Sequence, residues 1–288
     1  AVWSLPNVTP ATDLELALAE AGIAPDFAFS GGSADSDIPF LHRQLADGGS
    51  LYFIANRRNQ IERIEARFRV TGFAPEWWDA ATGRVRPLSF RTDGAFTVVP
   101  LTLEAEESGF VVFREETDQR SRQVPDTSYQ VVGQLDGPWQ VRFQTGRNAP
   151  EKVDMPKLQP LNEHADFGVR HYSGLTSYTT SFQSPMRDGR QLWLDLGQVG
   201  DVAQVIVNGQ MVGTSWWRPD RLEIGRYLRE GNNDLEVRVA NLWVNRLIGD
   251  EQPGATKVTF TAAPTYRPDA ALRPAGLIGP VRILASDH

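Results

Sequence analysis

Alternation of apolar and polar residues with a period of two dominates the chain from about residue 38 onward. In the segment 62–70, Ile64, Ala66, Phe68 and Val70 alternate with charged residues. This pattern predicts a strand with one buried and one solvated face. The strand-like runs of this region are 51–55, 61–70, 96–103 and 109–114. Together they predict a small antiparallel β-sandwich over residues 37–115.

A second β region follows residues 116–128, a polar segment that contains Pro125 and has no periodicity, which we interpret as a linker. Its clearest strand-like runs are 191–196, 202–207 and 233–240. Asn208-Gly209 is the strongest short hairpin signal in the chain. Residues 129–288 are therefore predicted to form a jelly roll or a related sandwich.

The first 36 residues follow a different pattern. Thr12 and Glu15 have the spacing of a capping box, and a mostly apolar stretch ends at Gly22, which predicts a short helix with strand-like flanks. A single α/β unit cannot bury its own faces. Residues 1–36 are therefore interpreted as the α/β remnant of a preceding domain. Because the chain starts at Ala1 rather than Met, we expect it to be processed or part of a longer protein.

Composition excludes several classes of function. A net charge of -7 and a pI near 5.2 argue against a general nucleic-acid binder, which needs a basic face. The absence of cysteine excludes disulfides, zinc–thiolate sites and thiol catalysis. No apolar run approaches the roughly 18–20 residues that span a membrane. We expect a periplasmic or secreted location, although the composition is equally compatible with the cytoplasm.

Tryptophans beside polar groups provide the first candidate site. Sugars present apolar C–H faces and rings of hydroxyls, so their sites combine exposed aromatic side chains with hydrogen-bonding residues. Trp216, Trp217 and Trp243 are predicted at turns or strand ends beside polar residues, as is the pair Trp77-Trp78. In the alternative interpretation, one tryptophan of each pair lies in the core and the other lines a domain interface.

The densest polar cluster, residues 241–251, directly follows a predicted strand. Asn241, Asn245, Arg246 and Asp250 offer donors and acceptors within a short reach, and we predict that they form a substrate-contact loop. An Arg246–Asp250 salt bridge with asparagines capping a turn is an equally good interpretation. The chain contains no phosphate loop, dinucleotide fingerprint, paired-histidine motif or Gly-x-Ser-x-Gly elbow, and no catalytic residue or metal ligand is assigned.

Several motifs in the second half resemble the sugar-binding jelly roll of glycoside hydrolase family 2. They are Tyr172-Ser-Gly-Leu-Thr-Ser-Tyr-Thr-Thr-Ser-Phe182, Leu194-Asp-Leu-Gly197, Val205-Ile-Val-Asn-Gly209 and Gly276-Leu-Ile-Gly-Pro-Val281. Further motifs precede this module or lie within it. They are His42-Arg43, Leu51-Tyr-Phe-Ile-Ala-Asn56, Trp78-Asp79, Phe110-Val-Val-Phe-Arg114 and Asn241-Leu-Trp-Val-Asn-Arg-Leu-Ile-Gly-Asp250. In this order they resemble the C-terminal region of family 106 α-L-rhamnosidases.

The resemblance implies an all-β fold with two antiparallel β-sandwich domains, the second a galactose-binding-like jelly roll, beside the short N-terminal α/β remnant. Enzymes of that family hydrolyse terminal α-L-rhamnose from glycosides and polysaccharides by a calcium-dependent inverting mechanism, with acid and base carboxylates from a preceding barrel. A barrel alone takes about 250 residues, so this chain cannot hold one beside two sandwiches.

The expectation is therefore a non-catalytic C-terminal portion of such a glycosidase that assists carbohydrate binding or completes the cleft. Its expected partners are rhamnosides and an upstream catalytic barrel, with His42-Arg43 as a weaker candidate for the barrel interface. Nucleic acid and membranes are not expected as partners. No cofactor is expected in this chain, and calcium only in the intact enzyme.

Three alternatives remain open at this point. The chain could be a free-standing carbohydrate-binding module, a purely structural spacer, or the accessory region of a family 2-like β-galactosidase or β-glucuronidase.

Overall fold

The computed structural model describes residues 18–80, 82–125, 128–184, 189–263 and 265–286. The chain divides into two compact units, Ala1–Pro125 and Asp126–His288. Antiparallel strands are the dominant secondary structure of the described residues and helices are few and short, which confirms the all-β prediction. Of the helix predicted near Thr12 and Glu15, only residues 18–20 are described, and these are helical. The rest of that prediction lies outside the described residues.

The first unit contains two five-stranded antiparallel sheets. Its strands are β1 Phe27–Gly31, β2 Phe40–Gln44, β3 Ser50–Ala55, β4 Glu62–Phe68, β5 Phe73–Trp78, β6 Val85–Pro87, β7 Phe90–Asp93, β8 Phe96–Leu103, β9 Ser108–Glu116 and β10 Ser121–Arg122. The strand order is β1-β4-β8-β7-β10 in one sheet and β2-β3-β9-β5-β6 in the other. The predicted alternation in β4 buries Ile64, Ala66 and Phe68. These side chains join one core with residues of the second sheet, such as Tyr52 and Phe113.

The division of the chain differs from the predicted boundaries at residues 36 and 116. Strand β1, assigned from the sequence to a preceding domain, pairs with β4 along its whole length, and Phe27 packs 5.2 Å from the Phe68 ring. Likewise, β10 falls within the predicted linker and pairs with β7. Both segments belong to the first sandwich because their backbone groups complete one of its sheets. The structural boundary follows Pro125.

The second unit is the predicted sandwich. Its strands are β11 Tyr129–Gln134, β12 Trp139–Phe143, β13 Lys152–Met155, β14 Gly174–Gln183, β15 Gln191–Asp195, β16 Gln198–Val199, β17 Val202–Val207, β18 Gln210–Ser215, β19 Arg221–Glu223, β20 Asn232–Asn241, β21 Leu277–Gly279 and β22 Arg282–Ser286. Its helices are α1 Phe167–Arg170 and α2 Val244–Asp250, with short 3-10 turns at Leu161–Glu163 and Gly225–Tyr227. The sheets have the orders β13-β12-β14-β20-β17-β18, β11-β22-β15-β19 and β16-β21.

The hairpin between β17 and β18 forms where the sequence predicts it. Asn208 and Gly209 have φ angles of 51° and 76°, the left-handed conformation that a type I′ turn requires at both central positions. The Asn208 side chain also donates to the Tyr227 carbonyl, which fixes the turn to the neighbouring segment. The turn sets the register of β17 against β18 and thereby brings Ser215, at the end of β18, opposite Ala203.

A long irregular segment connects α2 to β21. Residues 251–276, here called the strap, contain no helix or strand in their described part. Loops of this length are uncommon in compact domains unless they are functional or tied down. The strap is tied down by side chains of β20 and α2, and its C-terminal part lines a pocket at one end of the jelly roll.

Candidate functional site

The predicted polar cluster is buried, and its asparagines fasten the strap. Asn241 donates through Nδ2 to the Gly174 carbonyl at 3.1 Å and to the Thr176 hydroxyl at 2.6 Å, and its Oδ1 accepts from the Gly276 amide at 2.7 Å. Asn245, 3% exposed, brackets one backbone position. Its Nδ2 donates to the Arg273 carbonyl at 2.7 Å, and its Oδ1 accepts from the Arg273 amide at 2.8 Å.

Arg246 and Asp250 form an ion pair inside the same helix. Arg246 is fully buried, and its Nε donates to Asp250 Oδ1 at 2.9 Å across one helical turn. The carboxylate also accepts from the Val258 and Thr259 amides, at 3.1 and 2.8 Å, and from the Thr259 hydroxyl. Burial by itself would raise the pKa of Asp250. The hydrogen bonds from Thr259 and Val258 and the charge of Arg246 outweigh burial and hold that pKa below its usual value.

The outer end of the Arg246 guanidinium lies in a tightly packed environment. Its Nη2 is 2.9 Å from the Asp250 carboxylate, but neither Nη makes a hydrogen bond with the described residues. The guanidinium lies 5.8 Å from the centroid of the Phe167 ring. Gly249 allows this packing, because a Cβ there would fall 2.6 Å from the His171 Cβ and 2.7 Å from Arg246 Nη2.

These contacts correspond to the salt-bridge interpretation of the cluster. Asn241, Arg246 and Asp250 are buried, so the structure offers no exposed side chain of these residues for a direct substrate contact. The physical reason is that the strap uses the hydrogen-bonding capacity of Asn241 and Asp250, while Arg246 is buried beside Asp250 and Phe167. They are supports for neighbouring surface residues, and only Asn245 also lines a pocket.

That pocket lies at one end of the jelly roll and has a volume of about 240 Å³. It is formed by the segment before β17, the segment after β18, the start of α2 and the end of the strap. Its lining residues are Gln198, Val199, Gly200, Asp201, Arg218, Leu242, Val244, Asn245, Arg273, Pro274 and Ala275. Since β17 and β18 both pair within the six-stranded sheet that contains β20, their ends bring these distant segments together.

Exposed aromatic and apolar side chains lie at the ends of the strands that frame this pocket. Trp216, directly after β18, is 62% exposed and packs edge-on against Trp217 with ring centroids 5.8 Å apart. Trp243 is 44% exposed, and the guanidinium of Arg147 lies 4.7 Å from its ring centroid. Leu242, between β20 and α2, is also exposed. Trp216 and Trp243 are therefore accessible to a ligand, as the carbohydrate-site interpretation requires.

The charged groups of the pocket come from three loops. Asp201 accepts a hydrogen bond from the Leu242 amide at 3.0 Å, which joins the β17 side of the pocket to the start of α2. Arg218 and Arg273 contribute positive charge. Asp201 supplies the single carboxylate among the described lining residues. Glycoside hydrolysis by side chains ordinarily uses two carboxylates on either side of the bond, whereas the groups at this pocket are those that bind polar ligands.

Sequence reasoning missed Asp201, Arg273 and Arg147 as members of this region. Asp201 and Arg273 are 72 residues apart in number and carry no shared motif. Only the strand order of the sheet brings their loops together. A local signal exists for Arg218 alone, because it directly follows the predicted tryptophan pair.

A larger groove of about 700 Å³ lies on the outer face of the six-stranded sheet. Hydroxyl, amide and carboxylate groups line it, among them Gln140, Thr179 and Glu236. Glu236 is already paired with Arg238 and accepts from Ser177. The one tryptophan of its lining, Trp139, is 1% exposed and belongs to the core. The groove therefore lacks the accessible aromatic side chain that the jelly-roll end provides.

His42 and Arg43, the predicted barrel-interface residues, lie on the exposed edge strand β2 of the first unit. The His42 Nδ1 is 2.7 Å from the Asp26 carboxylate, and the imidazole stacks on the Tyr52 ring at 4.1 Å. Burial, and then the charge of Asp26, raise the pKa of the Tyr52 phenol. These contacts fix His42 on the surface of the first unit, and its contact with another domain stays a prediction.

Within the described ranges, no three His, Cys, Asp or Glu side chains cluster closely enough to hold a metal ion, so no calcium ligand is assigned to this part of the chain. None of the described helices is long and apolar enough to cross a membrane.

Comparison with known proteins shows similarity to parts of glycosidases. Residues 3–92 match the family model of the family 106 glycoside hydrolases, described as α-L-rhamnosidase. The solved structure of a rhamnosidase from Novosphingobium sp. PP1Y is 49% identical, with a TM-score of 0.83 over 96% of this chain and 26% of that one. A Formosa agariphila protein named "Putative beta-glucuronidase" is 34% identical over 52% of this chain and 15% of its own length.

These similarities define a glycosidase region. In particular, they confirm the predicted resemblance to a region of the family 106 α-L-rhamnosidases. The chain spans about a quarter of the rhamnosidase it matches and a smaller share of the Formosa protein.

Proposed function

We propose that this chain is a non-catalytic part of an enzyme that hydrolyses terminal α-L-rhamnose from glycosides or polysaccharides. The end of the jelly roll, with its pocket and the exposed Trp216 and Trp243, contacts carbohydrate or completes the substrate cleft. The observation that carries this proposal is the pocket of about 240 Å³ between loops whose neighbouring tryptophans are accessible. The pocket occurs in a chain that is 49% identical to part of a rhamnosidase, in a match that covers 96% of this chain.

The geometry supports binding and orientation of a sugar. An aromatic ring offers an apolar face to the C–H groups of a pyranose, while Gln198, Asp201 and Arg273 supply hydrogen-bonding groups at the pocket. The buried side chains of Asn241, Asn245 and Asp250 hold the backbone of the strap in place by hydrogen bonds before any ligand binds. Such preorganisation reduces the entropic cost of binding.

In this proposal the acid and base carboxylates belong to an upstream catalytic barrel, and any calcium ion acts there. A periplasmic or secreted location accords with a polysaccharide substrate. The proposed partners are therefore a rhamnoside and the upstream barrel. Neither nucleic acid nor a membrane is proposed as a partner.

A free-standing carbohydrate-binding module is the second candidate, and the same exposed tryptophans favour it. It differs from the first in needing no catalytic partner. Accessory function in a β-galactosidase or β-glucuronidase is a third possibility, in line with the name of the Formosa protein.

The test is hydrolysis of a chromogenic α-L-rhamnoside, in the presence of calcium, by the 288-residue chain and by a protein in which the proposed barrel precedes it. We expect activity in the longer protein alone. Replacement of Trp243 with Ala in that protein should reduce kcat/KM by roughly two- to tenfold, the value of about 0.5–1.5 kcal/mol of lost aromatic contact. Met211→Ala, at a comparably exposed position on β18, is the matched control and should leave kcat/KM unchanged.

Activity in the 288-residue chain by itself would contradict the non-catalytic role. Equal kinetics of the Trp243→Ala and wild-type longer proteins would remove the jelly-roll end from the substrate cleft. Arg246→Ala is unsuitable for this assay, because it would leave the buried Asp250 without its counterion and perturb folding.

A further inference from the structure

Arg273, at the rim of the jelly-roll pocket, differs from many exposed arginines of this chain in having no carboxylate partner among the described residues. Several exposed arginines elsewhere are neutralised by close carboxylates, as in Arg91–Glu65 at 3.0 Å and Arg114–Asp47 at 3.1 Å. The Arg273 side chain is exposed, and its guanidinium makes no hydrogen bond or ion pair with any residue in the described part of the chain. Its five donors are therefore available to a ligand.

The backbone that carries Arg273 is nevertheless fixed. Asn245, which is buried, donates to its carbonyl and accepts from its amide. The following residues of the strap, up to Gly276, are held by Asn241. Both polar atoms of the Asn245 side chain bond to the backbone of Arg273. They hold the Cα of Arg273 at the pocket rim before a ligand binds, which lowers the entropic cost of binding.

The charge of the pocket also contrasts with the charge of the chain. The chain carries a net charge of -7, whereas the lining of this pocket includes two arginines and one aspartate. Asp201 is engaged with the Leu242 amide on the β17 side of the pocket. A third guanidinium, that of Arg147, lies outside the lining, against Trp243, the residue that follows Leu242. A positively charged pocket in an acidic protein favours an anionic ligand.

The size and shape of the pocket restrict the ligand further. A volume of about 240 Å³ is below the roughly 300–1,000 Å³ typical of sites for drug-sized ligands, and it suits one sugar ring. Guanidinium groups bind planar carboxylates in a two-pronged geometry that fixes orientation as well as charge. The apolar side chain of Leu242 in the lining suits the C–H face of a pyranose.

We infer that this pocket binds a uronate, a sugar unit that carries a carboxylate, with the carboxylate paired to Arg273. The inference rests on the proposed function and deepens it, since it specifies the chemical class of the saccharide that the jelly-roll end contacts. A uronate next to rhamnose in a polysaccharide would then position the substrate, while the neutral rhamnose is cleaved elsewhere.

The test is calorimetric titration of the 288-residue chain with D-galacturonate and D-glucuronate. The methyl ester of galacturonate, D-galactose and L-rhamnose serve as neutral counterparts. We expect a uronate to bind about tenfold or more tightly than its neutral counterpart, as expected for a charge-assisted hydrogen bond. The preference should shrink as salt is raised, because screening weakens an accessible ion pair.

Arg273→Gln should abolish the preference for the acid while leaving the weak binding of neutral sugars. Because Asn245 contacts only the backbone of residue 273, this variant is expected to fold normally, and near-UV circular dichroism checks that. Arg91→Gln, which removes the same charge from an exposed site in the first unit, is the matched control and should keep the preference.

Equal affinities for galacturonate and its methyl ester, or an unchanged preference in Arg273→Gln, would overturn the inference. Neither result would affect the proposed function, which the rhamnosidase assay tests separately. Absence of binding by every saccharide to the folded chain would also overturn the inference, and the kinetics of Trp243→Ala would then decide whether the jelly-roll end acts only within the larger cleft.

Discussion

The two units each contain a tandem tryptophan pair, and the first tryptophans of the two pairs have opposite environments. Trp77 lies within β5 and is 4% exposed, packed so closely that a Cβ on Gly109 would fall 2.3 Å from its ring. Trp78 points to the other face, where its indole donates to Glu76. Trp216, just beyond the end of β18, is 62% exposed. In a strand, neighbouring side chains alternate between faces, and a loop imposes no such alternation.

In each unit a carboxylate holds a loop by similar hydrogen bonds, but the two loops have different roles. Glu62 accepts hydrogen bonds from the Ser33 amide and hydroxyl, the Ser36 hydroxyl and the Gln60 amide group, and closes a short loop. Asp250 holds the strap in a similar way through Val258 and Thr259. The hydrogen bonds of Glu62 only fix the loop after β1, whereas the strap continues from Thr259 to the rim of a pocket. Similar local chemistry therefore serves stability in one unit and supports a candidate site in the other.

The largest expected effect comes from truncating the buried tryptophan. Trp77→Ala should destabilise the first unit by about 3–5 kcal/mol, because it removes a large core side chain and leaves a cavity. Trp216→Ala should change stability by about 0.5 kcal/mol or less, since an exposed side chain loses little packing. Urea unfolding followed by fluorescence and circular dichroism measures both.

Comparable losses of stability in the two variants would break the comparison. That outcome would mean that Trp216 is buried in solution and cannot serve as a ligand surface. Circular dichroism is needed beside fluorescence, because each variant removes one of the fluorophores that report unfolding.

A smaller loss of folding stability, which depends on pH, is expected when Glu62 is replaced. Hydrogen bonds from Ser33, then from Ser36 and Gln60, lower the pKa of Glu62 from 4.5 to about 2. A carboxylate with a lowered folded-state pKa contributes stability that is complete above the unfolded value, near 4.5, and is lost as the pH falls through about 2. Glu62→Gln should therefore lower the unfolding temperature at pH 6 and flatten its decline between pH 5 and 2.

Glu65→Gln, on the same strand but exposed and paired with Arg91, is the matched control for that series. Its unfolding temperature should follow the wild-type pH dependence. If the unfolding temperature of Glu62→Gln depended on pH in the same way as that of the wild type, the hydrogen bonds from Ser33 and Ser36 to Glu62 would not be formed in solution.

Much of the fold could be predicted from the sequence because strand periodicity is a local signal. The run 96–103 and the run 202–207 coincide with β8 and β17, and the Asn208-Gly209 turn lies between β17 and β18. The boundaries were harder, because β1 and β10 acquire their role by pairing with strands far along the chain. Pairing partners at such separations leave no local pattern.

The candidate site could be predicted only in part, for the same reason. The exposed Trp216 and Trp243 were identified from their positions near strand ends. The i, i+4 spacing of Arg246 and Asp250 suggested either a ligand loop or a salt bridge, and the burial of both side chains decides for the salt bridge. Arg273 carries no local signal, since only the hydrogen bonds from Asn245 and the packing of the strap bring it to the pocket.

The most direct test of the account is nuclear magnetic resonance of the tryptophan indole groups during titration of the chain with galacturonate and with L-rhamnose. The account predicts that the indole N–H signals of Trp216 and Trp243 shift as saccharide is added, while those of the buried Trp77 and Trp139 stay in place. Unchanged signals of Trp216 and Trp243, with shifts confined to the amides of Thr179 and Glu236, would place the binding surface in the groove on the outer sheet face and contradict the account.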